Sequence, residues 1–196
     1  MQERCKVEPD VGLLDKARAD QGAFAILYRR HYDDIFRYCQ HRVFNRHVAE
    51  DLTSAVFMKV LVHLPKFHGD ETAFTHWTYR IATNTANTYL RQEALAKKRL
   101  RVLADDTDIK WAASPESALC ALEDTAAVRA AVLALRQKYQ EVVALRYFEN
   151  KEVSEIAVIL RRRQVTVRKR LSRALAELRG RLVTRTIKLD QRGSQL

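Results

Sequence analysis

EVSEIAVILRRRQVTVRKRLSRALAEL, residues 152–178, joins two amphipathic runs through a cluster of cations. Six of the ten residues of 161–170 are Arg or Lys. A helix placed on 164–179 sets Val167, Leu171, Ala174, Leu175 and Leu178 on one side. That stripe can pack on Val153, Ile156, Ala157 and Leu160 of a shorter helix over 152–160. The opposite side carries Val165, Thr166, Lys169, Ser172 and Arg173, flanked by Arg168 and Arg170. Two short amphipathic helices around a tight turn, with cations on the second, predict a helix-turn-helix.

The chemistry of this segment suits duplex DNA. A helix N-terminus offers free amide N–H groups to phosphate. Arg and Lys neutralise phosphates and release counterions, and Gln and Arg pair bidentately with base edges. The candidate duplex contacts are Arg163, Gln164, Thr166, Arg168, Lys169, Arg170 and Arg173. The plain alternative is a solvated cationic helix face. The turn has no glycine, and Arg161 stands where it begins. A non-glycine residue in the left-handed conformation costs roughly 1–2 kcal/mol.

Charge is unevenly spread around this segment. Residues 123–196 hold 17 Lys and Arg against 8 Asp and Glu, which is most of the chain's net +11. A field concentrated in the last third favours an anionic polymer as the partner of that part. With 5 Gly and 3 Pro in 196 residues, and much Ala, Leu and Arg, the chain reads as all-helical. Cys5, Cys39 and Cys120 are odd in number and widely separated, which fits a reducing cytoplasm rather than a disulfide framework. The start, MQERCKVEPD, has no apolar signal core, and no apolar run approaches the roughly 18 residues of a membrane span. No membrane insertion and a cytoplasmic location are therefore expected.

The helical text divides in two. Phe24, Leu27, Tyr28, Ile35, Phe36 and Cys39 recur at helical spacing up to a turn-like FNRH at 44–47. Leu52, Val56, Val60 and Leu64 form the stripe of the next helix, which Pro65 and Gly69 end. A third helix is read over 73–94. ADDTDIKWAASPE, at 104–116, has no period and reads as linker, with Ser114-Pro115-Glu116 as the start of the following helix. Helices to about 135, over 138–148, 152–160 and 164–182 follow, and TIKLDQRGSQL reads as a frayed tail. The expected architecture is two small helical domains, 10–100 and 123–183, joined by a flexible linker at 101–122 and followed by a tail at 184–196.

Residues 135–179, LRQKYQEVVALRYFENKEVSEIAVILRRRQVTVRKRLSRALAELR, resemble domain four of the extracytoplasmic-function (ECF) sigma factors of bacterial RNA polymerase. Leu135, Leu145, Arg146, Glu155, Ile156, Ala157, Leu160, Thr166, Val167, Arg170, Leu171, Arg173 and Ala174 match that family's pattern. Arg136, Arg161, Arg163 and Val165 stand at its Pro, Gly, Ser and Gly. AEDLTSAVF, at 49–57, resembles the core-polymerase-binding helix of sigma domain two, with Ser54 and Ala55 in place of its Gln-Glu pair. FTHWTYRIATNTANTYLR, at 74–91, resembles the helix that reads the minus-ten element, matching at Phe74, Trp77, Ile81, Ala82, Asn84 and Arg91.

The resemblance, over about residues 10–180, implies function. Glu50, Asp51, Leu52 and Phe57 are expected to dock on core RNA polymerase, with Met58 as a further apolar contact or a core residue. Trp77, Arg80, Asn84, Asn87 and Arg91 are expected to read the minus-ten element of promoter DNA as a single strand, since aromatics and amides on a basic surface stack and read unpaired bases. The plain alternative for Trp77 is a core role. The segment 163–173 is expected to read the minus-thirty-five element as a duplex. An anti-sigma factor is implied as a further partner. No cofactor is expected, and six histidines without HxxxH or HExxH spacing predict no metal site. There is no P-loop, no GxSxG and no convincing acid/base pair, so no enzyme is expected. The alternative is a stand-alone helix-turn-helix regulator that binds duplex DNA without polymerase.

Overall fold

The computed structural model describes residues 12–103 and 121–193, all helices and turns. The expected linker at 104–116, with its Ser114-Pro115-Glu116 helix start, lies outside the described residues. The first unit comprises α1 (Leu13–Ala17), α2 (Gln21–Val43), α3 (Arg46–His63), a 3-10 turn (Leu64–Lys66) and α4 (Glu71–Leu103). The second comprises α5 (Ala121–Leu133), α6 (Gln137–Val143), a π turn (Ala144–Phe148), α7 (Val153–Leu160) and α8 (Gln164–Gly193).

Local chemistry fixes the boundaries. Asp20 caps α2 by accepting from the amides of Gly22 and Ala23 at 3.0 and 2.9 Å. The helix stops where Phe44 turns left-handed (φ 51°), and Asn45 then caps α3 by accepting from the Val48 amide at 3.1 Å. This is the FNRH turn. After the 3-10 turn, Gly69 has φ 156°, and a Cβ there would come within 2.9 Å of the Ala73 Cβ, so the position needs glycine. Asp70 accepts from the Ala73 amide at 2.7 Å and so starts α4 two residues before the expected position 73.

The apolar stripes meet as expected. Leu52, Val56, Val60 and Leu64 of the second helical stripe are buried against Leu27, Ile35 and Cys39 of α2 and Phe74, Ala82 and Ala86 of α4. The threonines of α4 bury their hydroxyls by bonding one turn back. Thr78 donates to the Phe74 carbonyl at 2.9 Å and Thr83 to the Tyr79 carbonyl at 2.8 Å. Buried polar side chains are thereby satisfied within the helix itself. Arg42 is also buried (1% exposed), donating to Tyr38 Oη at 2.9 Å and Asn87 Oδ1 at 2.8 Å.

In the second unit, Arg136 precedes α6 with φ −61°, the angle that the family's proline would impose. The helix expected over 138–148 changes register: the Glu149 amide donates to the Ala144 carbonyl at 3.1 Å, five residues back. Val167, Leu171 and Ala174 of α8 are buried and Leu175 and Leu178 half-buried, with Ile156 and Ala157 of α7 buried opposite, as the stripes predict. The two helical units are present as expected, and one expectation is corrected: α8 does not end at 182 but continues through much of the segment read as a frayed tail, to Gly193. The units pack on each other: α7 packs on α4, the π turn packs on α2, and one apolar cluster runs through both.

The turn between α7 and α8 is left-handed at Arg161, with φ 48° and ψ 52°. The amide of Arg162 closes it by donating to the Ala157 carbonyl at 2.9 Å. Arg161 is exposed and bears the steric cost of its Cβ there. The substitution Arg161→Gly should raise stability by about 0.5–1 kcal/mol, seen as a higher urea midpoint. An unchanged midpoint would show that the turn carries no strain.

Candidate nucleic-acid and polymerase interfaces

Three surfaces collect the residues singled out from the sequence. The first is the α7–turn–α8 unit. Glu155 accepts from the Glu152 amide at 2.7 Å and so fixes the start of α7. Although burial opposes it, this amide and the His76 ring hold the Glu155 carboxyl below its ordinary range. Arg161, Arg162, Arg163, Gln164, Val165, Arg168, Lys169 and Arg173 are exposed around the N-terminal half of α8, and Thr166 is half-buried. Arg170 differs from these: its guanidinium is bonded to Glu141 Oε1 at 2.5 Å and its side chain is largely covered. It ties α8 to α6.

The second surface is α4. Asn84 and Arg91 are exposed, and Arg80 is half-buried. Burial and the neighbouring Arg161 both lower the Arg80 pKa, which sets a cation of the first unit beside a cation of the second. Trp77 is half-buried, stacked on Phe67 with ring centroids 4.8 Å apart and tilted against Phe74. Phe74 and Tyr79 are core residues. Asn87 is half-buried, accepting from Arg42 and donating to Glu141 Oε2 at 3.3 Å.

The third surface is the outer side of α3. Leu52 and Phe57 face inward, 6% and 4% exposed, with Phe57 edge-on to Tyr28 at 4.7 Å. Glu50 is half-buried and held by Arg46 at 3.0 Å, and Asp51 is exposed. Met58, Leu61 and Val62 are exposed on the same helix, Met58 and Val62 one turn apart. Leu61 and Val62 are absent from the sequence-derived set. Their signal was present: α3 carries a second apolar row at 58, 61 and 62, beyond what one buried stripe needs.

Between the first two surfaces lies a polar seam that the sequence did not reveal. Glu149, whose side chain has no exposure, accepts from Tyr79 Oη at 3.0 Å and from Arg37 Nη2 at 3.2 Å, and lies 3.7 Å from His41 Nδ1. Burial and this carboxylate push the Tyr79 hydroxyl pKa up. His41 stacks on Phe148 at 4.1 Å. The signal for the seam is tertiary, because Arg37, Tyr79 and Glu149 are far apart in the chain.

Cys39 is buried, and burial pushes its thiol up to about 11, so it stays protonated and inert at neutral pH. Among the described residues no cluster of three His, Cys, Asp or Glu side chains is placed to hold a metal, and no helix is long and apolar enough to cross a membrane.

A two-domain helical protein with a cationic helix-turn-helix and an amide-bearing helix has the features of a DNA-binding protein. Comparison with known proteins gives the family. The family described as Sigma-70 region 2 matches residues 27–95, and Sigma-70, region 4 matches residues 125–178. The chain is 30% identical to the ECF RNA polymerase sigma factor SigW of Bacillus subtilis over 178 residues, covering 84% of this chain and 91% of that one. It is 30% identical to the RNA polymerase sigma-H factor of Pseudomonas aeruginosa over 175 residues, covering 85% and 90%. Two solved structures share the fold at 20% identity and a TM-score of 0.61. CnrH in complex with the cytosolic domain of CnrY is matched over 88% of this chain and 96% of that one. RpoE of Bartonella quintana, in complex with the anti-sigma factor NepR, is matched over 81% and 96%. The chain belongs to the extracytoplasmic-function sigma factors. It is an alternative sigma factor that directs transcription initiation by RNA polymerase at promoter DNA, and the stand-alone regulator reading gives way, since a lone helix-turn-helix does not account for the region 2 match.

One titratable group reports on the first domain directly. His31 is buried, its Nε2 has no hydrogen-bond partner, and burial lowers its pKa below 6.5 despite Glu71 and Asp34 nearby. The unfolded chain binds a proton there more readily than the folded one, so stability is complete above about pH 6.5 and falls as pH drops below it. Replacing His31 with Phe should flatten that acid limb of a stability–pH curve. An unchanged limb would assign the loss to other groups.

Proposed function

We propose that the three surfaces divide the work of initiation. The outer side of α3, with Glu50, Asp51, Met58, Leu61 and Val62, docks on core polymerase, and Leu52 and Phe57 hold that helix from inside. Arg80, Asn84, Asn87 and Arg91 of α4 read the minus-ten element as a single strand, with Trp77 packed beneath them as part of their platform. Arg163, Gln164, Thr166, Arg168, Lys169 and Arg173 engage the minus-thirty-five duplex, and Arg170 positions α8 through Glu141. The protein catalyses nothing itself and acts in the cytoplasm. An anti-sigma protein is a further partner, as in the complex of RpoE with the anti-sigma factor NepR.

The observation that supports this reading best is the exposed cationic array at the start of α8, backed by an inner stripe buried at Val167, Leu171 and Ala174. The test is co-elution of the purified chain with core polymerase and promoter-specific initiation in vitro. Failure to bind and initiate would overturn the reading. Within it, Met58→Asp combined with Val62→Asp should weaken polymerase binding on the order of tenfold or more, leaving the helical content intact.

Salt reports the phosphate contacts. If domain four neutralises about 4–6 phosphates, the logarithm of its affinity should fall with the logarithm of salt at a slope of about −0.9 per contact. A flat response would remove the phosphate-gripping role. Arg168→Ala or Lys169→Ala should lower that slope by about one where the residue contacts phosphate, and should relax promoter choice where it contacts a base.

A further inference from the structure

The outward row of α8 carries one side chain unlike its neighbours. Val165, Arg168, Lys169 and Ser172 recur at spacings of three and four, which sets them along one face of the helix. All four are exposed, Val165 by 59%, and Gln164 is exposed beside them as the first residue of the helix. Among the described residues, no hydrogen bond or ion pair engages the side chains of Gln164, Arg168 or Lys169, whereas Arg170 of the same helix is committed to Glu141 at 2.5 Å. The free donors of this row therefore surround a group that can neither donate nor accept.

An isolated exposed valine is ordinary on a protein surface. This one differs in use, place and direction. The fold does not use it: Val167, two positions on, fills the inner stripe with no exposure. The ECF pattern has glycine at 165, so the unit forms without a side chain there. Its place is the first turn of the second helix of a helix-turn-helix, where the N-terminal residues meet base edges. Its direction is fixed, because the amides of Thr166 and Val167 donate to the Arg163 carbonyl at 2.9 and 3.2 Å and close that turn. A β-branched side chain in a helix also keeps essentially one χ1 rotamer. Its two methyl groups are thus presented outward with little freedom left to lose on contact.

The major groove offers such a group one match. Purine edges present N7 with O6 or the N6 amino group, and cytosine presents its N4 amino group; thymine alone carries a methyl, on C5. An isopropyl group pressed on the other edges would strip water from donors and acceptors that it cannot pair. We propose that Val165 is a specificity-determining contact: its γ-methyl groups pack on the C5-methyl of a thymine in the minus-thirty-five duplex. Gln164, Arg168 and Lys169 hold the neighbouring base edges and phosphates. This rests on the reading of α8 as the duplex-reading helix and names a base that the helix selects.

The test selects a randomised duplex library on the full chain, with core polymerase and without it. In the sequence recovered, each thymine in turn is replaced by uracil, which removes the methyl and leaves the base pairing unchanged. One such replacement should weaken binding by the wild-type chain roughly fourfold, the effect of one buried methyl group. With Val165→Ser the same replacement should change nothing, because the two changes remove the same contact. Val165→Thr, which keeps the branching and one methyl, should retain part of the discrimination. The readout is a ratio of two affinities for each variant, so a variant with a less stable helix still reports. Equal loss for thymine and uracil duplexes in Val165→Ser would mark a purely structural role and overturn the proposal. A recovered sequence with no methyl-sensitive thymine would overturn it too, leaving the duplex-reading role of α8 in place. Recovery of no sequence at all would overturn that role itself, and the proposal with it.

Discussion

A chain of hydrogen bonds runs from the core of the first domain to α8 of the second. Tyr38, paired with Thr83, accepts from Arg42; Arg42 donates to Asn87; Asn87 donates to Glu141; and Glu141 accepts from Arg170. A buried guanidinium such as Arg42 has to be met by polar partners, since removing one leaves an uncompensated charge. That need fixes α2 against α4. The same need at the other end fixes α8 against α6. Two residues with the profile of DNA contacts, Asn87 and Arg170, are thereby engaged in holding the protein together.

The π turn decides how the domains meet. Its five-residue hydrogen-bond spacing inserts one residue relative to an α-helix, and the chain then leaves through Asn150 in the left-handed conformation. Glu149 consequently points into domain two rather than into solvent. A carboxylate buried with a guanidinium, a phenol and an imidazole ring around it gives weak net stabilisation, because desolvation offsets most of the attraction. It does give orientation. The arrangement suits an interface whose geometry is specific.

The outer surfaces follow a different logic. Met58, Leu61 and Val62 are apolar and exposed on a helix whose other side is already fully packed. Arg168, Lys169 and Arg173 are exposed on a helix whose inner stripe is buried at Val167, Leu171 and Ala174. In each case the folding requirement is met by one side of the helix, and the other is free to serve a partner. Trp77 is the contrasting case: with Phe67 and Phe74 against it, its ring contributes first to packing.

Much of this was legible in the sequence because it is local. Helix periodicity, the FNRH turn, the Pro65 and Gly69 break, the inner stripe of α8 and the left-handed strain at Arg161 each depend on residues within a few positions of one another. The order of motifs along the chain carried the family. Leu52 and Phe57 were placed on a docking helix without its inner and outer sides being resolved, since a helix with two apolar rows does not say which one is buried. The length of α8 past 182 was missed because a polar sequence with few breakers reads equally as coil. What only the tertiary structure decided is the seam: that Arg37, Tyr79 and Glu149 converge, and that Asn87 and Arg170 are spoken for. Those pairings join residues up to 112 positions apart, and they turn on a change of helical register that no side-chain pattern records.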